Sequence, residues 1–202
     1  MSAWTSPIII VSTGLLNTVN DSVIGNQEGI SGYSKFAGQL GKILWVSSEQ
    51  IAQMYSSTIG TLYAGAYQYV KLAASQTIAV GDLLYWDQGA ADTSFTVTKA
   101  VNTTTLNYAS FAGFALNVIT AGNYGFIQMA GKATGRYVAS VTGTKQVGAQ
   151  VMASVATAGR VDVIDAAVTG LTQNNCLGWA ETLPADGALG TIQLNQRLYQ
   201  RG

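Results

Sequence analysis

The strongest constraint on the fold is a stretch of sequence that occurs twice. Residues 111–129 read as a strand, a tight turn at 120–123 and a second strand. The same order of small, apolar and turn residues recurs 65 residues later, at 176–194. A solenoid needs three or more such units to bury its faces. The sequence therefore predicts a duplicated β-meander whose two halves pack together as one barrel or sandwich.

Small residues carry the match between the two copies. Glycine within a strand permits close approach of another backbone, and glycine within a turn adopts a positive φ without steric cost. The matched pairs are Gly113 with Gly178, Ala115 with Ala180, Gly122 with Gly187, and Gly125 with Gly190. Upstream, residues 80–84 match 147–151 at an offset of 67, and residues 95–97 match 161–163 at an offset of 66. The offsets differ because loops between strands tolerate changes of length.

The whole sequence from residue 66 onwards predicts strands rather than helices. Side chains alternate between the two faces of a strand from residue 67, and turn residues separate the short β-prone runs that follow. The predicted strands lie at 67–72, 83–86, 94–99, 111–118, 124–129, 133–140, 147–153, 160–165, 176–182 and 189–194. We interpret residues 66–202 as one all-β domain with halves at about 66–131 and 132–195.

Residues 1–65 predict an extended N-terminal arm. No period holds for more than a few residues, apart from a short strand at 42–46 and a helix near 48–57 that follows the capping residue Ser47. Large apolar side chains are nevertheless spaced along the arm, which a freely disordered tail would lack. We expect the arm to contact another protein through Trp4, Ile8, Ile9, Ile10, Tyr33 and Phe36. The alternative is that this segment forms ordinary strands and loops of the β domain.

The sparse charge restricts the classes of partner. Charged residues make up 10% of the chain, against about 25% in typical proteins, and ten basic residues balance ten acidic ones. A nucleic-acid-binding protein normally carries a basic stripe, so we expect no nucleic-acid partner. A chain this neutral, with 48% hydrophobic residues, is expected to cover apolar surface in an assembly.

Most catalytic chemistry lacks its residues in this sequence. The chain has no histidine and one cysteine, Cys176, which excludes Ser-His-Asp triads, Cys-His pairs and zinc sites built on imidazole or several thiolates. Two pairs of carboxylates, Asp87 with Asp92 and Asp162 with Asp165, are the remaining candidates for a hydrolase or a calcium site. Their place in turns requires no such role. We predict a protein that is not an enzyme and that has no cofactor or metal.

The sequence shows no pattern for export or membrane insertion. No stretch approaches the roughly 20 apolar residues of a membrane span. The first residues lack the basic and apolar regions of a signal peptide. We therefore expect no membrane partner and synthesis in a cytoplasm.

Three short segments of the β domain match a pattern found in known proteins. Residues 79–85 read Ala-Val-Gly-Asp-Leu-Leu-Tyr, residues 113–116 read Gly-Phe-Ala-Leu, and residues 121–128 read Ala-Gly-Asn-Tyr-Gly-Phe-Ile-Gln. On these segments, the stretch 69–194 resembles the capsid decoration, or cement, proteins of tailed bacteriophages. The resemblance implies a structural, non-enzymatic, all-β protein that is often trimeric and binds the outside of the capsid shell. Residues 1–57 are not part of this pattern.

The resemblance leads us to expect a virion protein that bridges neighbouring capsid subunits. Its partners would be the major capsid protein and further copies of itself, as a trimer, on a capsid surface assembled in the host cytoplasm. The arm residues named above would contact the capsid or a neighbouring copy. The alternative is a phage fibre or host-recognition module that binds a surface glycan, with Tyr85 and Trp86 as an exposed aromatic platform. A high copy number in the particle favours decoration, and a low one favours a fibre.

Overall fold

The fold is taken from a computed structural model that describes residues 40–41, 43–48, 63–87, 95–99, 111–138, 146–154, 156–163 and 176–195. These residues form the strands β1 (Ile43–Val46), β2 (Gly65–Leu72), β3 (Leu83–Trp86), β4 (Thr96–Thr98), β5 (Phe111–Ala115), β6 (Tyr124–Arg136), β7 (Gln150–Ala153), β8 (Val161–Val163), β9 (Gly178–Ala180) and β10 (Leu189–Leu194). The all-β class predicted from the sequence is confirmed. The helix predicted near 48–57 lies outside the described residues, apart from Ser48.

Five strands close the first barrel, in the order β2–β4–β3–β5–β6 and back to β2. β2 pairs with β4 in parallel, and the other neighbours are antiparallel. Apolar side chains fill the interior, among them Val70, Leu84, Val97, Ala115 and Ile127. β1 pairs with the first half of β2, which the short β4 does not reach. The strand predicted at 42–46 is therefore part of the sheet.

β6 runs on beyond the first barrel and begins the second one. Its residues 132–136 pair with β10, and β9, β7 and β8 follow in order, all antiparallel. A parallel bridge between Tyr137 and Val161 returns β8 to the end of β6. The second barrel thus repeats the pairing order of the first, including its parallel closure, and the predicted duplication is confirmed. The division of the chain into an arm and a β domain at residue 65 stays a prediction.

The register of the strands is repeated together with their order. Equivalent pairs of facing residues are Leu84–Gly113 with Val151–Gly178, and Ala115–Ile127 with Ala180–Ile192. The turns repeat as well, because Gly122 and Gly187 have φ values of 75° and 71°. The matched glycines therefore occupy the same places in the two sheets.

One part of the sequence match is wrong by two residues. Trp86 pairs with Val97 in the first barrel, and Ala153, which takes the place of Trp86, pairs with Val161 in the second. Val97 therefore corresponds to Val161 and not to Val163. The connection between these two strands is shorter in the second copy, and its Gly159 has Phe95, not a glycine, in its place in the first copy.

β6 is one strand of 13 residues, where the sequence predicted two strands at 124–129 and 133–140. The predicted gap at 130–132 includes Gly131. In the structure Gly131 has a φ of 89°, and the pairing of β6 with β2 shifts register nearby, between Ala66 and Tyr67. The strand absorbs this irregularity as a β-bulge and continues. A single strand consequently belongs to both barrels.

The two barrels also pack against each other through the outer face of the first. Leu84 and Trp86 belong to the core of the first barrel, whereas Leu83, Tyr85 and Phe114 belong to the core of the second. β3 is buried on both of its faces, and none of its residues is more than 5% exposed. Each large apolar side chain buried in this way contributes about 1.5–3 kcal/mol. The contact therefore couples the folding of the two halves.

Candidate functional site

The six side chains predicted to bind a partner all lie outside the described residues: Trp4, Ile8, Ile9, Ile10, Tyr33 and Phe36. The described part of the chain begins at Leu40, which packs with Leu44 and Val46 against a buried aromatic cluster. That cluster consists of Tyr67, Tyr69, Tyr124 and Phe126. The residues just before β1 are thus attached to the outer face of β2 and β6.

Main-chain hydrogen bonds reinforce this attachment. The N–H of Gly41 donates to the carbonyl of Tyr69 over 2.9 Å, and the side-chain amide of Gln68 donates to the carbonyl of Gly41 over 2.6 Å. Within the aromatic cluster, the ring of Tyr69 lies 6.1 Å from that of Tyr124 and 5.1 Å from that of Phe126, between centroids. Any segment that precedes Leu40 therefore leaves from a fixed point on the first barrel.

A short segment of the first half is inserted into the sheet of the second half. The carbonyl of Gly81 accepts a hydrogen bond from the N–H of Arg136 (2.8 Å) on β6. Two residues later, the N–H of Leu83 donates to the carbonyl of Gly159 (2.7 Å), just before β8. Residues 81–83 therefore connect β6 with the residues just before β8. They lie next to the Tyr137–Val161 bridge that closes the second barrel.

Asp82 lies at the centre of this junction, with a side chain that is 5% exposed. One carboxylate oxygen, Oδ2, accepts from the N–H of Ala79 (2.9 Å) and from Nζ of Lys99 (3.2 Å). The other, Oδ1, lies 3.6 Å from Nε of Arg136. Burying a carboxylate is costly unless it is paired and hydrogen-bonded, and Asp82 is both. In the second copy the equivalent residue is Ala149. The charge of Asp82 is therefore required by the contact between the barrels and not by the repeated fold.

Arg136 completes the junction by contacts on both halves. Its guanidinium donates from Nη2 to the carbonyl of Val80 (3.1 Å) and from Nη1 to the carbonyl of Gly187 (2.7 Å). A planar guanidinium presents several donors in a fixed geometry, which suits it to join separate main-chain segments. Asp82 and Arg136 are therefore both engaged in contacts that hold the barrels together.

One cross-strand row of side chains distinguishes the outer faces of the two barrels. In the first barrel the row runs across β2, β6, β5 and β3 as Tyr67, Gln128, Phe114 and Leu83. In the second barrel the equivalent row runs across β6, β10, β9 and β7 as Lys132, Gln193, Trp179 and Gln150. We refer to these as the first row and the second row.

The two rows differ in exposure. Every member of the first row is at most 1% exposed, and Phe114 packs in the core of the second barrel. In the second row Trp179 is 41% exposed, and its cross-strand neighbours are the amides of Gln150 and Gln193. The second barrel therefore presents to solvent the row that the first barrel buries.

The second row carries almost no net charge. Nζ of Lys132 lies 2.5 Å from Oε2 of Glu181 and 5.0 Å from the ring centroid of Tyr63. The hydrogen bond to Glu181 raises the pKa of Lys132, so the cation is retained and paired. The aromatic face of Trp179 and two neutral amides dominate the rest of the row. This exposed row suits a contact with another molecule.

The aromatic platform predicted at Tyr85 and Trp86 is wrong. Tyr85 is 1% exposed and Trp86 is 5% exposed, because β3 lies between the two cores. Trp86 packs edge-on against Phe95, with ring centroids 6.2 Å apart. Sequence reasoning missed Trp179, although the alignment of the two copies already matched it to Phe114. Its neighbours in the second copy are two glutamines, Gln150 and Gln193, where the first copy has one.

The two candidate carboxylate pairs stay a prediction, because one member of each lies outside the described residues. Asp87 and Asp162 are described, whereas Asp92 and Asp165 lie outside the described residues. Among the described residues, no group of three or more His, Cys, Asp or Glu side chains is placed to hold a metal ion. Cys176 is half-buried, with its Sγ 3.1 Å from the carbonyl of Gly178. Within the same part of the chain, no helix is long and apolar enough to cross a bilayer.

Comparisons with known proteins find likenesses of structure but no matching family. No protein-family model matches the chain, and no curated protein matches it. A solved structure titled "head fiber gp8.5 N base in bacteriophage phi29" is similar with a TM-score of 0.46 and 14% identity, over 64% of this chain and 94% of that one. That structure is of a phage head-fibre protein. A likeness at this level says nothing about what the present chain binds.

Proposed function

We propose that this protein is a structural component of a phage virion that binds the outside of the capsid and bridges neighbouring capsid subunits. Its partners are the major capsid protein and further copies of itself, with a trimer as the favoured assembly. The protein is not an enzyme under this proposal. Binding rests on apolar, aromatic and main-chain contacts that repeat with the symmetry of the shell.

The proposal rests on the position in the fold of the residues that resemble decoration proteins. Gly81 bridges the two barrels with a φ of 79°, and Asp82 is the buried charge of the junction. Gly113 lies so close to β6 that an added Cβ atom would be 2.6 Å from the carbonyl oxygen of Gln128. The resemblance therefore rests on the residues that build the double barrel, which supports a shared architecture rather than a chance match of small residues.

The physical character of the described surface supports a binding role. The buried carboxylate of Asp82 and the half-buried guanidinium of Arg136 are engaged in the junction, and the second row offers an aromatic ring and amides. Weak contacts of this kind gain strength when several copies bind a symmetric surface at once. The arm adds apolar anchors, each worth about 1.5–3 kcal/mol when fully buried. A decoration protein needs no further chemistry.

The alternative, a fibre or host-recognition module that binds a glycan, has lost the two residues that were predicted as its platform. Tyr85 and Trp86 were its platform, and both are buried in the double barrel. We therefore retain the decoration role as the proposed function.

Co-sedimentation with undecorated capsids tests the proposal. The full chain is mixed with capsids over a range of concentrations, the particles are pelleted, and the bound protein is quantified against the major capsid protein. We expect saturable binding at a ratio that reflects the symmetry of the shell. A chain that stays in the supernatant at every concentration would contradict the proposed function.

A further inference from the structure

We propose that the second row, centred on Trp179, is the surface through which copies of this chain associate with one another. The inference deepens the proposed function by naming the residues of its self-association. It rests on the difference between two equivalent rows of one chain, together with the charge and shape of the exposed row.

The repeat itself indicates the occupant. Phe114 and Trp179 hold equivalent positions in the two barrels. Phe114 lies between Leu83 and Gln128 on the neighbouring strands, and Trp179 lies between Gln150 and Gln193. The face around Phe114 is covered by a barrel of this same fold. On the equivalent face of the second barrel, the side chain of Trp179 is 41% exposed. A barrel of this fold that meets the exposed face is supplied by a second copy of the chain.

The chemistry of the second row suits contact with an identical surface. Trp is the side chain most enriched among residues that dominate interface energies. Gln150 and Gln193 each carry both donors and an acceptor, so amides of two copies can pair with one another. Lys132 is neutralised by Glu181 within the same copy, and the chain has a net charge of zero. Two such rows therefore meet without repulsion between like charges.

The association closes rather than extending into a filament. Phe114 fits the second barrel because Gly135 has no side chain there, and a Cβ atom on Gly135 would lie 3.1 Å from Cε1 of Phe114. The residue equivalent to Gly135 in the first barrel is Val70, whose side chain fills that space in the core. The first barrel of another copy thus has no slot for Trp179. We therefore expect the second rows of the copies to meet one another, an arrangement that gives a closed oligomer.

Sedimentation velocity of the full chain over a concentration series tests the inference. The variants are Trp179→Ser, which removes the aromatic centre, and Gln150→Lys, which places like charges at the axis. Trp45→Ser is the matched control, because Trp45 is 58% exposed on β1 of the first half. We expect each variant in the second row to weaken association at least about thirtyfold. The control should associate like the wild type, and circular dichroism of every variant should match the wild type.

Salt provides a second measurement that a folding defect would not reproduce. Repulsion between added lysines is screened at about 1 M salt, where the Debye length is about 3 Å. Association of Gln150→Lys should therefore recover with salt, whereas that of Trp179→Ser should not. A wild-type chain that stays monomeric at all concentrations, or variants that associate like the wild type, would overturn the inference.

Other occupants of the second row would also be recognised. If the wild type is monomeric and Trp179→Ser alone fails to pellet with capsids, the row binds the capsid and self-association is overturned. If soluble glycans quench the fluorescence of the wild type but not of Trp179→Ser, the row is a glycan site and the inference fails as well. A monomeric wild type that still pellets with capsids leaves the proposed function intact while contradicting this inference.

Discussion

Gly113 and Gly178 occupy the same position in the two barrels, each in close contact with the neighbouring strand. Gly113 faces Leu84 and Gly178 faces Val151, at equivalent points of the two sheets. An added Cβ atom on Gly113 would lie 2.6 Å from the carbonyl oxygen of Gln128, and one on Gly178 would collide with that of Gln193. Because the obstacle is backbone in both cases, neither site can relax by moving a side chain.

Replacing either glycine with valine should therefore destabilise the protein. We expect Gly113→Val and Gly178→Val each to lower the free energy of unfolding by about 1–3 kcal/mol through overpacking. Thermal or chemical unfolding of the purified variants measures this. Val147→Ala is the control, because Val147 is 65% exposed and its truncation should change stability by less than about 0.5 kcal/mol. Unchanged unfolding of both glycine variants would show that the close approach is not real.

The junction between the barrels should depend on the charge of Asp82. Asp82→Asn keeps the size of the side chain but places an NH2 group among the donors of Ala79, Lys99 and Arg136. We expect a loss of about 1.5–3 kcal/mol, as for hydrogen bonds to charged groups. Asp186→Asn is the matched control, because its pair with Arg160 is exposed and contributes at most about 1 kcal/mol. Equal stability of the two variants would show that the charge of Asp82 does not stabilise the junction.

The same buried tyrosine that closes the second barrel should make stability depend on alkaline pH. Burial raises the pKa of Tyr137 above its ordinary value of 10.0. The unfolded chain then loses this proton first, so the contribution to stability is complete below pH 10 and is lost as the pH rises. When the pH is raised from about 8 to about 11, the free energy of unfolding of Tyr137→Phe should fall by about 1 kcal/mol less than that of the wild type. Urea unfolding at the two pH values checks this, and equal losses in both proteins would contradict it.

Glycine spacing predicted the repeat because the fold uses these glycines where another residue would not fit. Gly113 and Gly178 need space, and Gly122 and Gly187 need a positive φ, so the sequence is restricted at those points. Just before β4 and β8 the equivalent residues are Phe95 and Gly159, with φ values of 43° and 74°, so the first copy has no glycine to mark the register. The match there was consequently wrong by two residues.

Contacts between the halves were not predictable from local patterns. Asp82 has the sequence context of a turn residue, and only the placement of Lys99 and Arg136 from distant strands makes it a buried charge. Tyr85 and Trp86 were expected to be exposed, but an uninterrupted apolar run is typical of a strand buried on both faces. The partner residues predicted in the arm stay a prediction, because they lie outside the described residues.

Removal of residues 1–38 of the arm should separate folding from capsid binding. The contacts of Leu40 and Gly41 with the first barrel indicate that the shortened chain should begin at Gln39. We expect this chain to unfold with the cooperativity of the full protein. Its co-sedimentation with undecorated capsids should be strongly reduced, because apolar anchors such as Trp4 and Phe36 are absent. Equal binding of both chains would assign attachment to the barrels, and failure to fold would assign the arm to the core.

The most direct test of the central claim is the number and position of copies in the mature particle. Purified virions are analysed by quantitative mass spectrometry against the major capsid protein, and the same particles are imaged by electron cryo-microscopy. The account predicts many copies in a fixed ratio to the capsid protein, seen as double barrels on the outer surface of the shell and in contact with more than one capsid subunit. A handful of copies confined to one vertex or to the tail, or complete absence from the particle, would contradict it.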